Sequence, residues 1–289
     1  MGVITTKGAP IVREYLPTRD AVLPNKEPVP RGYVPRSRVA QHALSIILPF
    51  GLALILLIGW YSSTALGHIN SLLLPAPTDV FASLVDGISS GVFLSNTFIT
   101  VQESVLGFLL ALVLALPLGY GVAKSRILAG TIQPYLVAGQ AIPAIVLAPL
   151  LQIWLGFGLM TIMTLCMLVV LFPIVINTIL GIQTIDRTLL EAARVEGASG
   201  WSLLAHIEFP LALPAILAAI RTGLTLSVVG ALVGEFVAAG DYGLGSLVLQ
   251  ALHQYNVSFM FATLVVLAAL AVIYYGVTWL LVKIANLIY

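Results

Sequence analysis

Residues 184–214 read TIDRTLLEAARVEGASGWSLLAHIEFPLALP and carry six charges, Asp186, Arg187, Glu191, Arg194, Glu196 and Glu208, between two long apolar runs. Thr188 followed by Glu191 is a capping-box pattern for a helix start. Gly197 suits the left-handed conformation that ends a helix, and Ser199 can cap the next one. Pro210 and Pro214 are expected to stop that second helix and open the following apolar segment. The local expectation is helix, glycine turn, helix, lying outside a membrane.

The rest of the chain decides what surrounds this loop. Of 289 residues, 60% are hydrophobic and 9% charged, against about 25% charged in ordinary soluble domains. The mean hydropathy is +1.06, so the expectation is an all-α integral membrane protein. Six stretches are long and apolar enough to cross a bilayer, at about 43–61, 98–123, 132–155, 159–182, 213–238 and 259–284. Residues 1–43 differ: they hold six prolines, seven basic and three acidic residues without helical periodicity, and read as an extended tail preceding a 44–289 transmembrane domain. Lys and Arg cluster in the tail, at Lys124 and Arg126, at Arg187 and Arg194, and at Lys283, with Arg221 the exception. This asymmetry predicts that both termini and the 184–214 loop are cytoplasmic. Between the first two crossings, Thr78 is a candidate cap for a short amphipathic helix presenting Val80, Phe81, Leu84 and Val85 on one face.

The spacing Glu191-Ala192-Ala193, Gly197, Ile207, Pro210 resembles the EAA loop of the permease subunits of ATP-driven (ABC) importers. Phe209 stands where that family usually has Leu, an exchange of one large apolar side chain for another. The resemblance implies a type I permease fold with six crossings, in a prokaryotic inner membrane. It implies that the loop is a coupling helix docked in a groove of a separate ATPase. Glu191, Ala192, Ala193, Arg194, Gly197 and Trp201 are the candidate docking surface. The implied partners are a second copy of the chain, two cytoplasmic ATPases holding the ATP and Mg, and an extracytoplasmic solute-binding protein. No cofactor is implied for this chain. Leu74-Pro75-x-Pro77, Ile142-Pro143 through Pro149, and Gly243-Leu244-Gly245 further resemble the nitrate/sulfonate/taurine branch, which implies a small anion (nitrate, a sulfonate or taurine, bicarbonate) as solute. The same importer class also serves vitamins and their precursors (a pyrimidine, riboflavin) and aromatic acids.

Catalytic chemistry has no foothold. His42, His68, His206 and His253 lack metal-ligand neighbours at helical spacing, Cys166 sits alone in an apolar run, and Lys124-Ser125 follows Ala123 where a phosphate loop needs Gly. The chain is therefore expected to be a transport subunit and not an enzyme. An ion-coupled secondary carrier, the other class, would call for repeats and paired acids within the crossings; the sequence displays neither. Candidate path residues are Gln140, Pro143, Gln152, Asn177, Arg221, Ser227 and Glu235, because polar groups and broken backbone within a membrane face protein or water. Interhelical hydrogen bonding accounts equally well for the neutral ones. Glu103 and Glu235 lie near the outer ends of their crossings, where they either reach interfacial water or, for Glu235, flank the outer mouth. Gly223, Ser227 and Ala231, with Gly230 and Gly234, form a small-residue face suited to close packing.

Overall fold

The structure, a computed structural model, describes residues 38–67, 69–238 and 242–288. All regular structure among these is helical: α1 (Arg38–Ala65), α2 (Pro77–Ser89), α3 (Val92–Lys124), α4 (Arg126–Ala141), α5 (Ala144–Leu155), α6 (Leu159–Gln183), α7 (Arg187–Val195), α8 (Gly200–Leu203), α9 (Phe209–Ala238), α10 (Leu244–His253) and α11 (Val257–Ile288). The expected tail lies almost wholly outside the described residues.

Helices α3, α6 and α9 form the packed centre. Small residues explain how three apolar helices approach so closely where lipid offers no hydrophobic drive for association. On α3, Gly107, Ala111, Ala115 and Gly119 recur every four residues and are buried. A Cβ at Gly119 would come within 2.7 Å of Thr178 on α6. The expected small face of α9 also packs on α6, meeting Cys166 from a neighbouring direction to Gly107 of α3. There a Cβ would fall 3.0 Å from Val170 at Gly223, 2.8 Å from Cys166 at Gly230 and 2.8 Å from Ile162 at Gly234. These faces are thus used within the chain.

Among the described residues, four helices are long and apolar enough to cross a membrane, and a fifth crossing is counted if α4 and α5 form one. Those two do not make the continuous span expected at 132–155: they meet at a 100° bend over Ile142-Pro143. Proline disfavours a helical residue before it and cannot donate to a preceding turn, so Ile142 and Pro143 take extended conformations. For the first expected crossing, side chains are described continuously only over Gly51–Ala65 of α1.

Pro210 and Pro214 do not stop the helix after the loop. Gly200–Val237 runs as one 38-residue helical stretch. A π-helical turn over Leu204–Glu208, in which the Phe209 N–H reaches back to the Leu204 carbonyl, precedes Pro210. The wider turn relieves the ring–carbonyl clash that proline imposes on α-helical backbone. In α2, Pro77 occupies the first turn after Ala76, and Thr78 is not the cap. Val80 is buried, whereas Phe81 remains exposed.

Candidate functional site

The 184–214 loop stands out from the end of the bundle that carries Lys124, Arg126 and Arg187. The helix cap is Asp186, not Thr188. Its Oδ1 accepts from the Thr188 N–H at 2.9 Å and from the Thr188 hydroxyl at 2.5 Å. A carboxylate satisfies orphan N–H groups and the positive helix end together, which a hydroxyl does less well. These bonds, the hydroxyl first, hold the Asp186 carboxyl below its ordinary range. The far end is a Schellman turn: Ala198 N–H donates to the Ala193 carbonyl at 2.9 Å and Gly197 N–H to the Arg194 carbonyl at 3.0 Å. Gly197 takes φ 96°, where a side chain is disfavoured. Ser199 occupies the next cap position without a side-chain bond.

None of α7 is buried. Glu191, Ala192, Arg194 and Gly197 are exposed, Ala193 is half-exposed, and Trp201 and Val195 are 77% and 89% exposed. Leu190 alone of α7 packs on the cluster of Ile182, Ile185, Ala212 and Ile216. Among the described residues Glu191 and Arg194 make no salt bridge; with Arg126, Arg187 and Leu190 they line a cleft of about 320 Å³. The cleft lining is net basic, and the side chains of Val195 and Trp201 are exposed among the described residues.

The bend between α4 and α5 opens a cavity of about 400 Å³ against α6 and α9. Gly139, Gln140, Pro143 and Leu147 line one wall, Leu168, Val169, Phe172 and Pro173 the other, and Leu226 closes it. Among the described residues, no charged one lines it. Pro173 cannot donate to the Val169 carbonyl one turn back, so this apolar wall also holds a backbone acceptor freed from the helix ladder. A second cavity of about 390 Å³ follows along the same two helices, between Gln133, Leu136 and Val137 of α4 and Ile176, Leu180 and Gln183 of α6. Between them the Phe172 ring lies so close to Gly139 that any Cβ there would collide with it.

Of the path candidates, Gln140 and Pro143 therefore line the cavity; the others do not. Asn177 Nδ2 donates to the Pro173 carbonyl at 2.8 Å. Ser227 is buried, donating to the Leu224 carbonyl at 2.7 Å, while its own carbonyl accepts from Cys166 Sγ at 3.4 Å. Gln152 lies on α5 beyond the lining residues. Arg221 is turned about 140° around α9 from Leu226, its guanidinium carbon 3.8 Å from the Tyr275 ring centroid on α11. This is a cation–π contact.

Glu235 and Glu103 do not reach interfacial water: they are 2% and 4% exposed. The fold buries these two acids near one another, and Glu103 Oε2 has no hydrogen-bond partner among the described residues. Around them three consecutive backbone N–H groups opening α10 are met by side chains of other helices. Gly243 N–H donates to Asn96 Oδ1 at 2.7 Å, Leu244 N–H to Thr100 Oγ1 at 2.9 Å, and Gly245 N–H to Glu235 Oε2. Thr100 Oγ1 in turn donates to Glu235 Oε1 at 2.6 Å. A carboxyl at a helix N-terminus is favoured by both its hydrogen bonds and the helix dipole. Gly243 and Gly245 are required here because a Cβ on either would enter the Glu235 carboxyl.

Sequence reading also missed Glu208 as a site residue. It is fully buried at the end of the π turn, paired with Lys124 Nζ and accepting from Tyr120 Oη at 3.0 Å. The signal available was an acid two residues before Pro210, at the same membrane boundary as the base in Ala123-Lys124-Ser125.

A family model described as "Binding-protein-dependent transport system inner membrane component" matches residues 105–286. The riboflavin transport system permease protein RibX of Chloroflexus aurantiacus is 38% identical over 228 residues, covering 79% of this chain and 85% of its own. The formylaminopyrimidine transport permease protein ThiX of Halalkalibacterium halodurans is 29% identical over 201 residues, covering 70% and 80%. Among solved structures, a chain of the MetNI methionine ABC transporter in inward-facing conformation superposes with TM-score 0.61 at 22% identity, over 67% of this chain and 95% of that one.

Proposed function

The chain belongs to the family of binding-protein-dependent transport system inner membrane components, and from that membership we propose that it conducts a neutral or weakly charged heteroaromatic solute, of the vitamin or vitamin-precursor kind, through an ABC importer. The observation that carries the solute class is the cavity at the α4–α5 bend, walled by Leu147, Leu168, Phe172 and Leu226, with Gln140 and no charged side chain. An apolar pocket with few polar groups fits a flat ring system. A small anion would call for fixed positive charge or several convergent donors, and Arg221 is engaged with Tyr275 instead. The names of the riboflavin and formylaminopyrimidine relatives support the same class, in preference to the anion suggested by the branch motifs.

In this reading α1, α3, the bent α4–α5 pair, α6, α9 and α11 are six crossings, with the termini and the 184–214 loop in the cytoplasm. Two copies face one another across the path, and each docks α7 into an ATPase subunit. Nucleotide binding draws the two docking loops together, and a solute-binding protein delivers solute to the opposite face. Glu191, Ala192, Ala193, Arg194, Gly197 and Trp201 form the docking surface. Alanine and glycine let the helix backbone approach a groove closely, and Trp201 supplies a large apolar contact. Glu235 is committed to holding α10, accepting from the Gly245 N–H and from Thr100, and so gives no support to ion coupling.

The test is ATPase activity of the chain reconstituted with its ATPase and binding protein, supplied in turn with riboflavin, formylaminopyrimidine, taurine, nitrate and bicarbonate. Stimulation by a heteroaromatic solute, with matching uptake, is the expected result. Stimulation by an anion alone overturns the solute class, and a chain that engages no ATPase overturns the coupling role.

A further inference from the structure

Burying a carboxylate is costly unless charge and hydrogen bonds compensate it, and the structure spends such compensation at one place near the docking loop. Glu208 is fully buried. Its Oε1 takes the Lys124 ammonium and its Oε2 accepts from Tyr120 at 3.0 Å. Lys124 and Tyr120 are separated by four residues on the last turns of α3, so both donors come from one helix face. A buried ion pair adds little net stability compared with apolar packing of the same volume. Its placement therefore calls for a reason other than holding the bundle together.

The position supplies that reason. Glu208 closes the π turn that joins the exposed α7–α8 hairpin to α9. Lys124 is the last residue of α3, and the next residue, Ser125, caps α4 by accepting from the Leu128 N–H at 3.3 Å. Helix α4 then runs directly to Gly139, Gln140 and the bend that forms the cavity. Among the described residues, two of the hairpin's attachments to the bundle differ in character. One is apolar, through Leu190 on Ile182, Ile185, Ala212 and Ile216, a contact that allows sliding. The other is the Glu208 clamp, which is directional, because both oxygens are held by donors fixed to α3.

We infer that Glu208, with Lys124 and Tyr120, is a positioning joint that passes displacement of the docking hairpin to the α3–α4 junction and so to the cavity. The inference rests on the importer reading above. With the joint intact, a push on α7 moves the π turn and the end of α3 together. Without it, the π turn deforms and the movement is lost before α4.

The experiment uses the full chain in proteoliposomes with its ATPase and binding protein, and reads solute moved per ATP hydrolysed. Glu208→Gln and Lys124→Gln should lower that ratio by about fivefold or more, the scale of an ordinary coupling between sites, while stimulated ATP hydrolysis stays within about twofold of wild type. The reversed pair Glu208→Lys/Lys124→Glu should recover part of the ratio, a result that simple loss of packing would not give. Tyr120→Phe removes one donor without charge or volume change and serves if the charge variants fold poorly; it should lower the ratio by a smaller factor. Spin labels on Val195→Cys and Ile153→Cys, exposed at 89% and 78%, give a second readout. Their separation should change with nucleotide in wild type, and the change should shrink in Glu208→Gln. An unchanged ratio and an unchanged nucleotide response in the Glu208 and Tyr120 variants overturn the joint while leaving the importer reading intact. A wild-type chain that neither stimulates the ATPase nor moves solute overturns both.

Discussion

Thr100→Val is the sharpest probe of how α10 is held. The threonine is fully buried, and valine reproduces its shape, so no cavity is created. Two hydrogen bonds to other helices are lost: the Leu244 N–H loses its acceptor at 2.9 Å, and Glu235 Oε1 loses its donor at 2.6 Å. Leu244 is itself fully buried, so water cannot replace the missing partner. An orphaned buried group costs about 1–3 kcal/mol, and loss of the second bond adds about 1 kcal/mol, for roughly 2–4 kcal/mol together. For a chain of this size that corresponds to a fall in unfolding temperature of roughly 5–15 °C, read in detergent at one scan rate because such transitions are commonly irreversible. Thr100→Ser keeps the hydroxyl and removes one methyl group, worth about 1 kcal/mol. Serine should therefore be the milder substitution, although valine is the better mimic of the apolar surface. Should valine prove as stable as serine, the Asn96–Thr100–Glu235 network does not hold α10 and the account of this end of the molecule fails. A Thr100→Val/Glu235→Gln double variant should be less destabilised than the sum of its parts, since the two side chains share one bond.

At the opposite end, Gly197→Val places a β-branched residue at φ 96°, costing about 1–2 kcal/mol locally. Because α7 contributes nothing buried, stimulated ATPase activity should fall while the unfolding temperature of the bundle stays put; a parallel loss of both would show the turn to be structural. Phe172→Ala removes the ring between the two cavities and should raise ATP-independent downhill flux of the solute, measured by filter uptake; flux no greater than wild type would remove Phe172 from the path. The Asp186 carboxyl is held below its ordinary value, so its cap is complete above that value, about pH 4, and is lost as pH falls through the depressed one. Amide exchange at Leu190 should accordingly quicken with acid in wild type but not in Asp186→Asn, which still accepts a bond without titrating. Identical pH profiles for the two would exclude Asp186 as the cap.

The sequence was most legible where one residue type permits one backbone state. Gly197 could be placed as a left-handed helix end because charge and hydropathy both change around it. The small-residue face of α9 was legible for the same reason, although its partner, α6, was not. Prolines were legible as events but not as geometries. Pro143 breaks the backbone by 100°, Pro173 stays inside a straight helix, and Pro210 is absorbed by the π turn before it. What decides among these is the packing of the flanking turns, which a local pattern does not contain. The acids were misread for a related reason. Taken singly, Glu103 and Glu235 look like groups seeking water, yet both are buried, and Glu235 finds its partner Thr100 135 residues away on another helix. The cap fell to Asp186 and not Thr188 because two candidates two residues apart compete for the same N–H groups, and the carboxylate wins on charge. The cavity lining was least legible: the absence of charge from its wall, among the described residues, emerges only when α4, α6 and α9 are assembled.

The π turn over Leu204–Glu208 sets a phase. Each residue advances a helix by about 100° and 1.5 Å, and a π turn holds one residue more than the α-helix it interrupts. The hairpin bearing Trp201 and the membrane-embedded face bearing Leu226 are therefore offset by a rotation that uninterrupted α-helix would not provide. Deleting Ala205 would let the helix close into regular register, with Pro210 then pressing on the turn before it. It would also turn α8 roughly a quarter-turn around the axis of α9 and strain the Leu190 contact with Ile182, Ile185, Ala212 and Ile216. The rotational setting between the part that meets another subunit and the part that lines the membrane path is thus stored in a single surplus residue.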